Sequence, residues 1–204
     1  MTNCIVLQNE IPGVIIDEES RVSSVIIPIV MKDDEPHVLF EVRSSSIPEQ
    51  PGDICFPGGM IEEGESPKEA ALRECIEELC IDEKQCQILG PSLIFHAPSM
   101  SVFPFIAEIK DYKGTFSEYE SSEVFMVPLS FFKENEPERY ALEWQRKASD
   151  DFPYERIVGG KNYKWRRQIQ SEMFYSYQGR SIWGITAKII YYSLVKYGIE
   201  KYGL

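Results

Sequence analysis

Phe56–Ile81 reads FPGGMIEEGESPKEAALRECIEELCI. Ser66 is placed to cap a helix, Pro67 suits the first helical position, and Glu69 completes a Ser-x-x-Glu capping box. The spacing predicts a helix over Ser66–Leu79. At about 100° per residue, Glu74, Glu77 and Glu78 share one arc of roughly 100°. Leu72, Cys75, Ile76 and Leu79 take the opposite side, so the helix has one buried face and one face of three carboxylates.

Outward from this helix the chain is rich in strand signals. Val22–Met31 (VSSVIIPIVM) and His37–Arg43 (HVLFEVR) flank the turn-like Lys32–Pro36 and predict an antiparallel pair. Gln87–Phe95, Val102–Ile109 and Glu123–Pro128 are further strand candidates, each bounded by polar, Pro or Gly residues. A second helix is expected at Trp183–Lys201, where Ile185, Ile189, Tyr192 and Lys196 mix apolar and basic spacing. The alternation is α+β or α/β. Pro137–Lys161 mixes Trp144 with many charges and fits no single element, and Phe116–Ser122 is a polar, acidic loop.

The 204 residues suit one compact unit, with 43% hydrophobic and 26% charged residues and no repeat or linker. Lys plus Arg number 21 against 33 Asp plus Glu, a net charge of -12. Such a chain has no global field to attract nucleic acid or an anionic membrane. An anionic substrate would need local help, for which a divalent cation held by carboxylates is the usual device. The N-terminus lacks a basic stretch before a long apolar run, and no window reaches the ~20 apolar residues of a membrane span. The expected compartment is the cytoplasm. Cys4, Cys55, Cys75, Cys80 and Cys86 form no CxxC pair, so reduced and mostly buried thiols are expected rather than disulfides or a zinc clamp.

Charge runs on helices are usually solvated faces. Like-charge pairs at i,i+3 and i,i+4 cost a few tenths of a kcal/mol each, so three clustered glutamates call for compensation. Hard oxygen ligands with open water positions suit Mg²⁺ or Mn²⁺, which gives Glu74, Glu77 and Glu78 as metal-ligand candidates. Arg73 stands four residues from both Glu69 and Glu77 and can pair with either, orienting the carboxylate face. Gly58-Gly59 lets the following loop fold tightly, and Glu65 can reach back to the metal face or to loop amides.

These residues resemble the box of the Nudix hydrolase family: Gly, five residues, Glu, seven residues, Arg-Glu, an aliphatic, any residue, Glu-Glu, any residue, Gly, an aliphatic. Gly59, Glu65, Arg73, Glu74, Glu77, Glu78 and Ile81 fit, with Cys75 a loose match. Cys80 stands where the family usually has the Gly that ends the helix, so either another residue closes the helix or its end is reshaped. The resemblance implies a Nudix fold, an α/β/α sandwich of the α+β class with a mixed β-sheet between helices. It implies a single Nudix hydrolase domain over 1–204, with 1–20 an N-terminal extension and the box at 59–81. Arg43-Ser44, Gly52 and Phe56-Pro57-Gly58-Gly59 look like the extended signature of the coenzyme A pyrophosphatase branch, although Pro48 replaces an Arg of that signature. Trp183–Ala187 and Val102–Phe105 also resemble that branch.

The implied activity is metal-dependent hydrolysis of coenzyme A or acyl-CoA to adenosine 3′,5′-bisphosphate and a phosphopantetheine. ADP-ribose, a dinucleotide or a nucleoside triphosphate is the alternative substrate, and a noncatalytic binding module is a second alternative. The implied partners are a small nucleotide substrate and, as in many relatives, a second copy of the chain in a homodimer. One of the box glutamates, or Glu120 or Glu123, would accept the proton of the attacking water. Arg43 and Ser44 are candidates for substrate phosphate, with Gly58 and Gly59 in the same substrate-binding loop. His96 is a secondary candidate for lining the site, and Trp144, Trp165 and Trp183 are candidates for stacking an adenine, with core or interface packing the plainer role for such aromatics.

Overall fold

The computed structural model describes residues 20–97 and 99–198, together with the backbone of two short antiparallel strands, β1 (Cys4–Ile5) and β2 (Val14–Ile15). The Cys4 side chain, most of the expected N-terminal extension and the end of the expected second helix lie outside the described residues. β3 (Arg21–Lys32) and β4 (Glu35–Arg43) form the expected hairpin. Its turn residues Asp33 and Asp34 have φ of 52° and 60°, the two positive values of a tight hairpin turn, which Asp tolerates better than most residues.

The chain continues through β5 (Ile54–Cys55), β6 (Gly58–Met60) and α1 (Pro67–Leu79). Next come β7 (Cys86–Pro91), β8 (Phe95–Ala97), β9 (Met100–Ile109), β10 (Ser121–Pro128) and α2 (Leu129–Glu134). β11 (Glu138–Trp144), β12 (Gln168–Tyr177) and β13 (Arg180–Trp183) form a separate antiparallel sheet, followed by α3 (Gly184–Ile190) and a π-helical turn at Tyr191–Lys196. The main sheet has the order β10-β4-β3-β9-β7, with β5 on β4, β6 on β3 and β8 on β9. β3 and β9 run parallel and the other pairs antiparallel, so the sheet is mixed.

Side chains alternate across β3. Ile26 and Val30 face α1 with Leu39, Ala71, Cys75 and Leu79, whereas Ile27 and Ile29 join Phe40, Phe132, Tyr175 and Ile190 on the opposite side. Both faces of β3 and β4 are therefore covered, which is why these strands read as nearly continuous apolar runs. The layers are the expected α/β/α arrangement, with the small second sheet adding to the α3 side. Burying Leu79 alone stabilises by about 2 kcal/mol, enough to outweigh the few tenths lost per like-charge pair on the other side of α1.

Three expectations require correction. Gln87–Phe95 is two strands, because a register shift between Ile88 and Gly90 and the Pro91 that lacks an N–H end β7. The second helix starts at Gly184 and widens to π geometry at Tyr191, so it is not one regular helix from Trp183. Pro137–Lys161 contains β11, and the 145–167 excursion that follows carries two single 3-10 turns. The four described cysteines are free; Cys75 and Cys86 are buried and Cys55 is half-buried, but Cys80 is exposed. Among the described residues no helix is long and apolar enough to cross a membrane.

Candidate active site

The start of α1 is closed as its sequence demands. The Glu69 N–H donates to Ser66 Oγ at 3.3 Å and the Ser66 N–H to Glu69 Oε2 at 2.9 Å. This occupies Glu69, so Arg73 pairs elsewhere. Its guanidinium grips Glu65 with two bonds, 2.9 Å and 3.1 Å, donates to Glu74 Oε1 at 2.7 Å and to the Met60 carbonyl at 3.3 Å, and lies 3.6 Å from Glu77. Arg73 thus ties the loop after β6 to the carboxylate face, and of its two i±4 partners it takes Glu77 and leaves Glu69. The same guanidinium holds the Glu65 carboxyl below the usual carboxylate range.

Both glycines of the loop have packing reasons. A Cβ on Gly58 would stand 2.3 Å from the Ser24 carbonyl and 2.7 Å from Val25 Cα, so only glycine lets β6 close on β3. A Cβ on Gly59 would stand 2.3 Å from Glu74 Oε1, so the bare backbone seats that carboxylate. The Gly58 N–H donates to Glu78 Oε2 at 2.7 Å. Glu78 is buried as a result, Glu74 is half-covered, and Glu77 has 63% of its side chain exposed. The common helix face is real, but its three carboxylates sit in three environments.

At the other end of α1, Cys80 adopts the left-handed conformation, φ 50° and ψ 51°, and closes the helix as the C-cap. The helix-end carbonyls are met by the loop between β9 and β10, where Thr115 Oγ1 donates to Leu79 O at 2.7 Å and the Ser117 N–H to Glu78 O at 2.7 Å. That anchoring fixes Glu120, whose carbonyl accepts from the Ser44 N–H at 2.8 Å. Glu123, the other loop candidate, is instead ion-paired with Arg180. Arg43 donates through Nε to the Glu49 carbonyl at 3.0 Å, and Ser44 Oγ bonds Ser46 Oγ at 2.7 Å. His96 Nδ1 bonds Ser101 Oγ at 2.9 Å. Trp183 stacks on Phe174 and Trp165 packs on Tyr163 and Phe152.

Sequence reasoning missed Glu41. It lies on β4, is 1% exposed, and its Oε1 is buried without a hydrogen-bond partner among the described residues. Glu78 lies against it. Burial, then the Glu41 charge, push the Glu78 carboxyl far above its ordinary range, and the Gly58 N–H opposes only part of this. Burial likewise raises Glu41, against the pull of Glu78, Ser121 and Arg43, while the Glu120 charge adds to the rise. Its signal was a lone carboxylate within the apolar run of HVLFEVR, a strand covered on both faces.

A divalent cation fits the chemistry of this donor set: hard carboxylate oxygens, excess negative charge and one orphaned buried oxygen. As they stand, no three His, Cys, Asp or Glu side chains among the described residues are gathered closely enough to hold an ion. Arg73 holds the Glu74 carboxyl and the Gly58 N–H holds that of Glu78.

The family model described as the NUDIX domain matches residues 20–152. The chain is 31% identical over 125 residues to Nudix hydrolase 3 of Caenorhabditis elegans, covering 58% of this chain and 52% of that protein. It is 29% identical over 113 residues to a peroxisomal coenzyme A diphosphatase of Mus musculus, covering 53% and 48%. The matches thus span about half the length of these two relatives. A NudL Nudix hydrolase of Enterobacter sp. (strain 638) is 30% identical over 174 residues, covering 83% of this chain and 79% of that one. The family model takes in β3 to β11 and with them the whole Arg73-ordered carboxylate face, so the chain belongs to the Nudix hydrolase family.

Proposed function

We propose that this chain hydrolyses the diphosphate of a nucleoside diphosphate-linked substrate with Mg²⁺ or Mn²⁺, and that the substrate is coenzyme A or an acyl-CoA. Water adds across the P–O–P link; one P–O bond breaks, and the products are adenosine 3′,5′-bisphosphate and an (acyl-)phosphopantetheine. The observation that carries the reaction class is the buried Glu41–Glu78 pair beneath an Arg73-ordered glutamate face, an accumulation of carboxyl groups that packing alone does not require. A divalent ion bound there would neutralise phosphate charge and acidify a water molecule.

The chain's own residues have separable roles in this reading. Glu74, Glu77 and Glu78 supply metal-binding oxygens, with Glu41 behind them. Arg73 orients Glu74 and Glu77 and pins Glu65. Glu120, the loop carboxylate whose charge reaches Glu41, is the candidate to take the water's proton. Arg43 and Ser44, where β4 leaves the sheet beside this group, are the phosphate-binding candidates. Gly58 and Gly59 bring the loop backbone to the same place.

Coenzyme A is favoured by the Arg43-Ser44 to Gly59 signature and by the coenzyme A diphosphatase among the relatives. Pro48, which replaces an Arg of that signature, favours the alternative of ADP-ribose, a dinucleotide or a nucleoside triphosphate. Cys80 in place of the helix-ending Gly would favour the binding-module alternative, but Cys80 closes the helix in the left-handed conformation that a Gly would adopt there, and that alternative loses its support. The test is incubation with coenzyme A, ADP-ribose, NADH and a nucleoside triphosphate, with and without each metal, with products identified by mass. Metal-dependent adenosine 3′,5′-bisphosphate formed from coenzyme A faster than any other cleavage is the expected result. Preferred cleavage of another diphosphate would discard coenzyme A, and no cleavage of any would discard the reaction.

A further inference from the structure

The 145–167 excursion between β11 and β12 inverts the charge balance of the chain. It holds seven Lys or Arg against three Asp or Glu, in a protein of net charge -12. It also carries Phe152, Tyr154, Tyr163 and Trp165, which pack edge to face. Where the excursion leaves β11 it borders a cavity of about 500 Å³ whose lining includes Trp144, Met100, Gln145, Arg146 and Gln168. That volume is in the range of small-molecule sites.

The lining has the parts that an adenine nucleotide requires. Trp144 is 56% exposed, so a broad aromatic face is available for stacking. Met100 supplies apolar contact. Among the described residues no hydrogen bond engages the Gln145 or Gln168 side chain, and a carboxamide can pair with the N6 and N7 edge of adenine. Arg146 lies 5.6 Å from the Trp165 ring centroid and has no carboxylate partner among the described residues. A guanidinium in that state suits a phosphate.

The register places this cavity at the same end of the sheet as the glutamate face. Met100 pairs with Arg21 and Gly59 with Ser24 on the same strand, β3. Three residues of strand separate the two points, about 10 Å. Met100 packs on the α3 side of the sheet and α1 covers the other side, so a substrate seated in the cavity would reach the carboxylates around this end of the sheet.

We propose that the cavity between the β8–β9 tip and the base of the β11–β12 excursion binds the adenine-nucleotide end of the substrate, with Trp144 stacking the base and Arg146 meeting a phosphate of the same nucleotide. This rests on the reading of the substrate as a nucleoside diphosphate derivative and assigns its recognition to residues outside the carboxylate face. Seating the uncharged base in the cavity leaves the scissile diphosphate to the carboxylate end.

The test is calorimetric titration of the metal-free full chain with adenosine 3′,5′-bisphosphate and with adenosine, for wild type, Trp144→Ala, Arg146→Ala and Ser99→Trp. Ser99 is an exposed residue at the cavity, so a large side chain there obstructs it without touching the core. Trp144→Ala and Ser99→Trp should each weaken adenosine 3′,5′-bisphosphate at least tenfold. Arg146→Ala should weaken it at least fivefold, with less than a twofold effect on adenosine, and should flatten its salt dependence. No binding by the wild type, or affinities within twofold in Trp144→Ala and Ser99→Trp, would overturn the site. Turnover separates the two proposals. If coenzyme A is hydrolysed with a KM unchanged by Trp144→Ala, the site fails and the reaction stands. If no diphosphate is hydrolysed while nucleotide binding depends on Trp144, the reaction fails and the site stands.

Discussion

The carboxylate face of α1 and the β11–β12 hairpin are built on opposite principles. Around α1 most polar groups are committed: Arg73 to Glu65 and Glu74, the Gly58 N–H to Glu78, and Ser66 to Glu69. On β11 every residue is exposed, with Tyr140, Leu142 and Trp144 open to solvent. Chemistry that depends on position is held by packed and cross-bonded elements. The hairpin surface instead makes its bonds among its own exposed side chains, as Tyr140 does with Glu138 and Glu143 with Arg167, so variation there costs the core little and suits the recognition role proposed for it.

The largest effect that would break this comparison concerns turnover. Glu77→Gln and Glu78→Gln are each expected to lower kcat at least 100-fold, about 2.7 kcal/mol in the barrier, and removal of divalent metal with a chelator is expected to abolish it. Trp144→Ala should leave kcat within twofold and act on KM. Wild-type kcat in both glutamine variants would refute the metal assignment, and a collapsed kcat in Trp144→Ala would erase the distinction between the regions.

Stability gives the next contrast. Gly58→Ala forces a methyl against the β3 backbone and is expected to cost about 3 kcal/mol, read as a fall in the urea midpoint. Leu142→Ala on the exposed hairpin should stay within about 0.5 kcal/mol of wild type.

The Glu41–Glu78 pair sharpens the same contrast through pH. Both carboxyls are raised above their unfolded value of 4.5, so the native state favours their protonated forms. Their contribution to stability is complete below that value and is lost as pH rises through neutrality toward the folded values. Metal-free protein should therefore melt at progressively lower temperature as pH climbs from 4.5 to 8, and Glu41→Gln should flatten the slope. The smallest expected effect is Cys80→Gly, which relieves a side chain in the left-handed region and should add about 1 kcal/mol without changing kcat.

The carboxylate helix was legible because its caps, apolar stripe and charges lie within one continuous segment and obey one period. The β3–β4 hairpin was legible because its turn residues separate two apolar runs. Glu41 was not singled out, since its meaning depends on Glu78 arriving from 37 positions later and on both faces of β4 being covered. α2 is six residues, too short for a helical period to register. β11 has no buried face and hence no inside-outside alternation to detect. β12 does alternate at Met173 and Tyr175, both buried, and that signal was present in QIQSEMFYSY. The choice of Arg73 for Glu65 over Glu69 was invisible because helical spacing describes neighbours on one element and not the loop folded back beside it.

The parallel pairing of β3 with β9 bears on how the protein is made. Ser24 Oγ donates to the Phe103 carbonyl across 79 positions of chain, and Ile26, Ile27 and Ile29 are fully buried only once that strand is in place. During synthesis β3 can pair with β4 at once, but its other edge stays open until residue 109 has left the ribosome. At about 5–20 residues per second, that leaves a highly apolar strand edge waiting for several seconds, a natural point of capture by a chaperone or by another nascent chain.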